Sequence, residues 1–317
     1  MDARVELSEF LKSRRARLSP EDVGLRAYGG RRRVAGLRRE ELAGLAGISV
    51  AHYTRLEQGR SDSVSAEALA AIGRALRLDE DERTYLNQLT RPDARTCPET
   101  AAPPRAGLRH LVASFDATPA ILVGRHTEIV AWNPVATALF GDFAAMPEGE
   151  RSISDLIFRR SDVRDLHGAG WEPTAVEHVA HLRVLSACYR GDRRLMAHIE
   201  RLRAASPEFD RMWSSHPVAR AGGRFYRLHH PVVGDLDLYG ELVTLPVDLE
   251  YSGLDLFAAE PGSPSERALR RLADLSRERD SPSPPPSPAQ ARADAAFLEG
   301  RTRAGAVTCG SMKPACP

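Results

Sequence analysis

The chain has 317 residues, 42% of them apolar and 27% charged. That is an ordinary globular composition, long enough for about two domains with cores of their own. Its 44 basic and 43 acidic residues leave a formal charge of +1, which excludes a uniformly basic coating protein and confines any nucleic-acid surface to a local patch.

Residues 1–91 read as all helix. Leu7, Phe10, Leu11 and Arg14 follow helical spacing and predict a first helix over about 5–17. In RREELAGLA, residues 38–46, the face Leu42, Leu45 and Ala46 points inward, and Gly47 supplies a left-handed stop. Ser49 caps the next helix, VAHYTRLEQ, which ends at Gly59. Ser65 caps a fourth helix with Leu69, Ile72, Ala75 and Leu76 inward. Asp79 with Glu82 forms a capping box for a fifth, to about Leu89.

The proline-rich stretch 92–107 reads as a linker. The region 108–260 then changes character. ILVG at 121–124 and EIVAW at 128–132 predict a strand, turn and strand, followed by a short helix over 134–141. Two amphipathic helices are expected at 174–190 and 192–205. Strands follow in RFYRLHHPVV and DLDLYGELVTLPV, and SGLDLFAAE is a candidate last strand. Leu236, Leu238, Leu242 and Leu245 suit half-buried strands. About five antiparallel strands with interposed helices make an α+β domain. Ser263, Pro264 and Glu266 open a C-terminal helix within 261–279, and the Ser/Pro-rich segment from 280 to 317 predicts a disordered tail, with a short helical piece near 291–299.

No apolar run reaches the ~18 residues of a membrane span. The N-terminal MDARVELSEFLKSRR lacks the apolar core of a secretory signal. Cys97, Cys188, Cys309 and Cys316 form no C-x-x-C pair, so no metal site and a cytoplasmic chain with reduced thiols are expected.

Segment 38–59 is a helix, a tight turn and a second helix of about nine residues. Small Ala43 and Ala46 permit close crossing, and Leu42, Ile48, Tyr53 and Leu56 are candidates for a shared core. This is the helix-turn-helix arrangement, whose second helix enters the major groove of double-stranded DNA. Arg55 is its best base reader, because a guanidinium reaches guanine O6 and N7 together, whereas Val50 and Ala51 offer only apolar contact. Between residues 12 and 39 ten basic residues face two acidic ones, a local charge of +8 that includes Arg31, Arg32 and Arg33. Such a patch makes DNA affinity salt-dependent, and the Gly29–Gly30 lead suggests an arm onto phosphates or into a minor groove.

LRREELAGLAGISVAHYTRLEQGR resembles the lambda-repressor-like (Cro/repressor, xenobiotic-response-element) family and, within it, the MmyB-like regulators, which carry similar GGRRR and GLRREE stretches. The resemblance implies that Val50, Ala51 and Arg55 face bases, that His52 and Thr54 flank them, and that Ser49 and Arg39 bond phosphates. It also implies that Glu57 pairs with an arginine of the first helix, either Arg14 or Arg15. The stretch 18–37 is far longer than the family's usual tight turn.

HTEIVAWNPVATALFG at 126–141 resembles the start of a PAS fold, and MmyB-like regulators carry such a domain behind the DNA-binding one. The resemblance implies a ligand-sensing transcription regulator whose PAS-like pocket takes a small apolar or acyl-chain ligand, and a homodimer on palindromic sites. Apolar cavities are the default ligand sites, and Trp132, Phe140, Phe158, Trp171, Met196 and Trp213 are the candidates to line one. Asn133 reads as a local turn-fixing group, and His178 and His181 as surface residues. His229 and His230 face opposite ways along a strand. No cofactor is expected, and no catalytic motif appears. The rival reading is an adaptor whose helix-turn-helix binds protein instead of DNA.

Overall fold

Serine, asparagine and aspartate start most of the helices in the computed structural model, which describes residues 3–25, 36–60, 64–90, 103–189, 191–219, 223–245 and 251–280. The expected linker at 92–102, the tail from 281 and the helical piece at 291–299 lie outside these residues. Helices α1 (Ala3–Arg17), α2 (Arg39–Ala46), α3 (Val50–Glu57), α4 (Ala66–Ala75) and α5 (Glu80–Thr90) form an N-terminal bundle. The expected caps are in place. Ser49 Oγ accepts from His52 N–H at 3.2 Å and Ser65 Oγ from Ala68 N–H at 3.2 Å. Asp79 and Glu82 exchange bonds of 2.8 and 3.3 Å. These contacts satisfy N–H groups that a helix start leaves without partners.

Phe10, Leu11, Leu42, Tyr53, Leu56 and Ile72 are fully buried together, with Ile48 half-buried against them. Leu45 departs from the expected inward face and is 39% exposed. It sits one residue before buried Ala46, on the side of α2 turned away from α3 and α4. Gly47 (φ +66°) and Gly59 (φ +68°) stop α2 and α3 in the left-handed region. A Cβ on Gly59 would stand 2.8 Å from the Arg4 carbonyl oxygen. Gly59→Ala is therefore expected to lower stability by about 1–2 kcal/mol, read from the urea midpoint. An unchanged midpoint would mean that α3 is not held against α1 at this point.

The second region opens with α6 (Ala106–Ala113), so the last two residues of the expected linker are already helical. A five-stranded antiparallel sheet follows: β1 (Ala120–Gly124), β2 (Ile129–Trp132), β3 (Arg224–His230), β4 (Gly234–Val243) and β5 (Tyr251–Ala258), in spatial order β2-β1-β5-β4-β3. The fold class is thus a helical helix-turn-helix bundle followed by an α+β, PAS-like domain. Along β4 burial alternates, with Leu236 and Leu238 inward, while Leu245 lies past the end of the strand.

Between β2 and β3 come α7 (Pro134–Phe140), α8 (Ile153–Arg159), α9 (Ser161–His167), α10 (Trp171–Cys188), α11 (Arg193–Ala205) and α12 (Pro207–Ser214); α13 (Pro264–Asp280) closes the described chain. Asn133 is fully buried. Its Oδ1 accepts from Ala136 N–H at 3.0 Å and Ala120 N–H at 3.1 Å, and its Nδ2 donates to the carbonyls of Phe115 at 2.9 Å and Thr118 at 2.8 Å. One amide thus caps α7 and pins the chain entering β1, the turn-fixing role its position suggested.

Helix α10 organises the molecule. Its residues Val184 and Ala187 belong to the same apolar cluster as the N-terminal bundle, while Val179, Leu182 and Leu185 pack into a second cluster with α11 and α12. Arg183, 0% exposed, forms an ion pair with Glu6 of α1, donates to the Trp213 carbonyl and lies 4.1 Å over the Trp213 ring. Tyr85 Oη donates to the same Glu6 carboxylate at 2.6 Å. Arg14 reaches the His216 carbonyl at 2.8 Å and pairs with Glu82 at 2.7 Å. The regions before and after the expected linker therefore share buried contacts within one unit, Met1–Ser276.

Candidate nucleic-acid interface and ligand cavity

Helix α3 presents Val50 at 46% exposure, with Ala51 and Arg55 also exposed one turn apart. His52 and Thr54 are half-buried beside them. The buried side of the helix carries Tyr53, Leu56 and Glu57. Ser49 sits at the tip as the cap, where the helix start carries partial positive charge. The exposed row is short, apolar at its start and cationic at its end, which suits a groove floor with a guanine in reach of Arg55.

Glu57 locks this helix in place. Its carboxylate accepts from Arg15 Nε at 2.9 Å and Nη2 at 2.8 Å, and from Arg39 Nε at 3.1 Å. Ser8 Oγ donates to its backbone carbonyl at 2.6 Å. Arg15 is therefore the partner, and Arg14 is engaged elsewhere. Burial pushes the Glu57 carboxyl up, but hydrogen bonds and charge from Arg15, with Tyr53 and Arg39, outweigh it and hold the group below its ordinary range. Arg39 is 43% exposed while paired, so the expected phosphate contact shares its guanidinium with Glu57. Arg31, Arg32 and Arg33 lie outside the described residues.

A cavity of about 100 Å³ lies between α8, α10 and the sheet. Val123, Ile153, Ile157 and Leu242 supply its apolar wall, and Glu177, His178, His181, Arg224, Tyr226 and Asp255 its polar one. Arg224 forms an ion pair with Glu177. His178 Nε2 lies 2.8 Å from Ser154 Oγ, which lies 2.8 Å from Thr127 Oγ1. Burial lowers the His178 imidazole to about 3, helped by His181 and His198, and lowers His181 to about 4. Both are neutral near pH 7. Burial raises the Asp255 carboxyl to about 7.

None of the six expected aromatic and methionine candidates lines this cavity. Phe158, Trp171 and Trp213 meet as core with Phe209, and Met196 packs against the same cluster. Trp132 packs edge-on to Phe143 with ring centroids 5.4 Å apart, and Phe140 to Phe257 at 4.8 Å. His178 and His181, expected at the surface, point into the cavity instead, because α10 has a sheet on one side and a bundle on the other. The readable signals were a Glu177-His178 pair with His181 inside an apolar helix, and Asp255 inside the apolar run LDLF. His229 and His230 do face opposite ways: His229 is exposed beside Asp235 at 2.5 Å, and His230 is buried with Nε2 3.0 Å from the Ala138 carbonyl oxygen. Among the described residues no helix is long and apolar enough to cross a membrane.

A helix-turn-helix bundle followed by an α+β domain that encloses a small cavity has the two-part layout of a transcription regulator. Residues 6–86 match the family profile described as helix-turn-helix domain, and residues 104–272 match the MmyB-like transcription regulator ligand binding domain. The second match spans more than half of the chain, which belongs to the MmyB-like family. No curated protein matches it.

Proposed function

We propose that the chain is a sequence-specific double-stranded DNA-binding regulator whose affinity for its site responds to a small ligand in the cavity beneath α10. The exposed row of α3, held rigid by the Glu57 ion pairs, carries this reading. Val50 and Ala51 contact base edges, Arg55 reads a guanine, and Ser49, Arg39 and the Arg31–Arg33 arm meet phosphates. His52 flanks the row. A homodimer would place two such helices on paired half-sites.

Coupling runs through α10. The helix lines the cavity with Glu177, His178 and His181, and grips the bundle with Arg183, Val184 and Ala187. A ligand changes DNA affinity only if it prefers one placement of the bundle, since equal affinity for both shifts nothing. The cavity's wall is half polar, which favours a ligand with a polar group over a bare acyl chain.

Arg55→Ala is expected to cost about 1–3 kcal/mol on the preferred duplex and to relax preference at one position. Arg32→Ala should instead weaken all duplexes alike and reduce the salt slope. Fluorescence anisotropy on a selected duplex and its single-base variants reads both. If neither change alters affinity, the DNA-reading role of α3 is wrong and the adaptor reading replaces it.

A further inference from the structure

The cavity under α10 has a distinct charge inventory. Arg224 projects from β3 but its charge is compensated by Glu177 of α10. His178 and His181, also from α10, are neutral near pH 7. The Tyr226 phenol of β3 is raised by burial and stays neutral. The remaining ionisable group in the described wall is Asp255 of β5, which has no hydrogen-bond or ion-pair partner among the described residues. Its strand neighbours, Leu242 of β4 and Ile121 of β1, are apolar. His181 Nδ1 is buried without a partner, and Asp255 is half-buried at the cavity face. A buried polar group left without a partner is costly, and a charged one more so. Such groups mark where a complementary ligand gains most.

We propose that this cavity takes a small alkylammonium, with Asp255 as the carboxylate that holds the protonated amine. A carboxylate ligand would meet no uncompensated cation and would face the Asp255 charge. A purely apolar ligand would leave Asp255 and His181 unpaired. An ammonium gives Asp255 its missing partner and places one N–H near the neutral imidazole of His181, while Val123, Ile153, Ile157 and Leu242 cover a short alkyl stem. The volume limits the occupant to roughly four to six non-hydrogen atoms, since a cavity of about 150 Å³ holds benzene.

This inference rests on the reading of the second region as a ligand sensor. It also sets a pH dependence. An aliphatic amine, with a pKa near the ~10.4 of lysine, stays protonated below about pH 9. Asp255 loses its proton around pH 7, so affinity should rise from pH 5.5 to pH 8 as the carboxylate forms.

The test is a ligand-observed NMR titration of the full chain with n-butylammonium, butyrate and n-butanol, three probes of similar size. At pH 8 butylammonium is expected to bind at least tenfold tighter than either of the others, and to weaken at least tenfold at pH 5.5. Asp255→Asn should abolish the preference with the circular dichroism spectrum unchanged. The pH arm needs no variant, so it stands even if Asp255→Asn fails to fold. Equal or tighter binding of butyrate or butanol overturns the amine assignment but leaves the sensor reading intact. Butylammonium binding that ignores pH, or that survives Asp255→Asn, overturns the role of Asp255. No binding by any probe overturns the inference, while DNA reading by α3 is judged separately in the duplex assay.

Discussion

Arg183→Ala is expected to lower the unfolding free energy by about 3–5 kcal/mol, measured by urea denaturation at pH 7. The guanidinium is 0% exposed and holds Glu6, itself 3% exposed, across the junction of α1 and α10. Removing it strands the Glu6 carboxylate with Tyr85 Oη as its remaining donor. It also takes one donor from the Trp213 carbonyl, which keeps the His216 N–H at 3.2 Å, and empties the space above the Trp213 ring. Each loss leaves a polar group or a gap away from water. The double variant Glu6→Leu with Arg183→Met should lose much less, because apolar groups of similar volume often replace a buried pair at little cost. A strong non-additivity is therefore the expected signature. If Arg183→Ala costs under about 1 kcal/mol, water reaches the pair and α10 is not the dry joint that coupling between cavity and bundle requires.

That joint explains what the sequence disclosed and what it did not. Local chemistry was legible because its causes are local. Ser49, Ser65, Asp79 with Glu82, and Ser263 with Glu266 each announce a helix start within three or four residues, and each makes that bond. Asn133 before Pro134 announced α7 in the same way. Helices α8 and α12 carry the same signals in Ser152 and Ser206, yet helices of seven or eight residues give too few turns for a periodic apolar face to stand out. The burial of Arg183 inside α10 was not legible. An arginine in a helix reads as a solvent charge, and Arg183 is buried only because α1, fixed 177 residues earlier, returns a glutamate to meet it. The cavity fails for the same reason. Its lining comes from β1, β3, β4, β5, α8 and α10, so no stretch of sequence holds the site. The large aromatic residues that looked suited to a pocket fill the core, as large apolar groups usually do.

Glu57→Ala is expected to destabilise the N-terminal bundle by about 2–4 kcal/mol. The carboxylate is fully buried, and its loss leaves Arg15, 12% exposed, without its charged partner and with the Leu37 carbonyl at 2.6 Å as a remaining acceptor. Arg39, 43% exposed, turns to solvent at little cost, which places the effect toward the lower part of that range. The sign of the pH dependence follows from the depressed pKa. A carboxyl whose folded pKa lies below its unfolded value contributes its full stability above the unfolded pKa, about 4.3 for glutamate, and loses it as pH falls through the folded value. The stability gap between the native chain and Glu57→Gln should thus be constant from pH 8 to 6 and shrink below about pH 4. A gap that grows on acidification would place the folded pKa above the unfolded one and remove Arg15 as the dominant partner. The same variant separates two roles of Arg39. Released from Glu57, its guanidinium at the start of α2 is held less firmly against the end of α3, where the orientation of Arg55 depends on the same clamp. DNA affinity should therefore fall even where Glu57→Gln is still folded, with base preference at the Arg55 position loosened. If affinity and preference are both unchanged in folded Glu57→Gln, the clamp serves stability alone and α3 needs no help from it to read a groove.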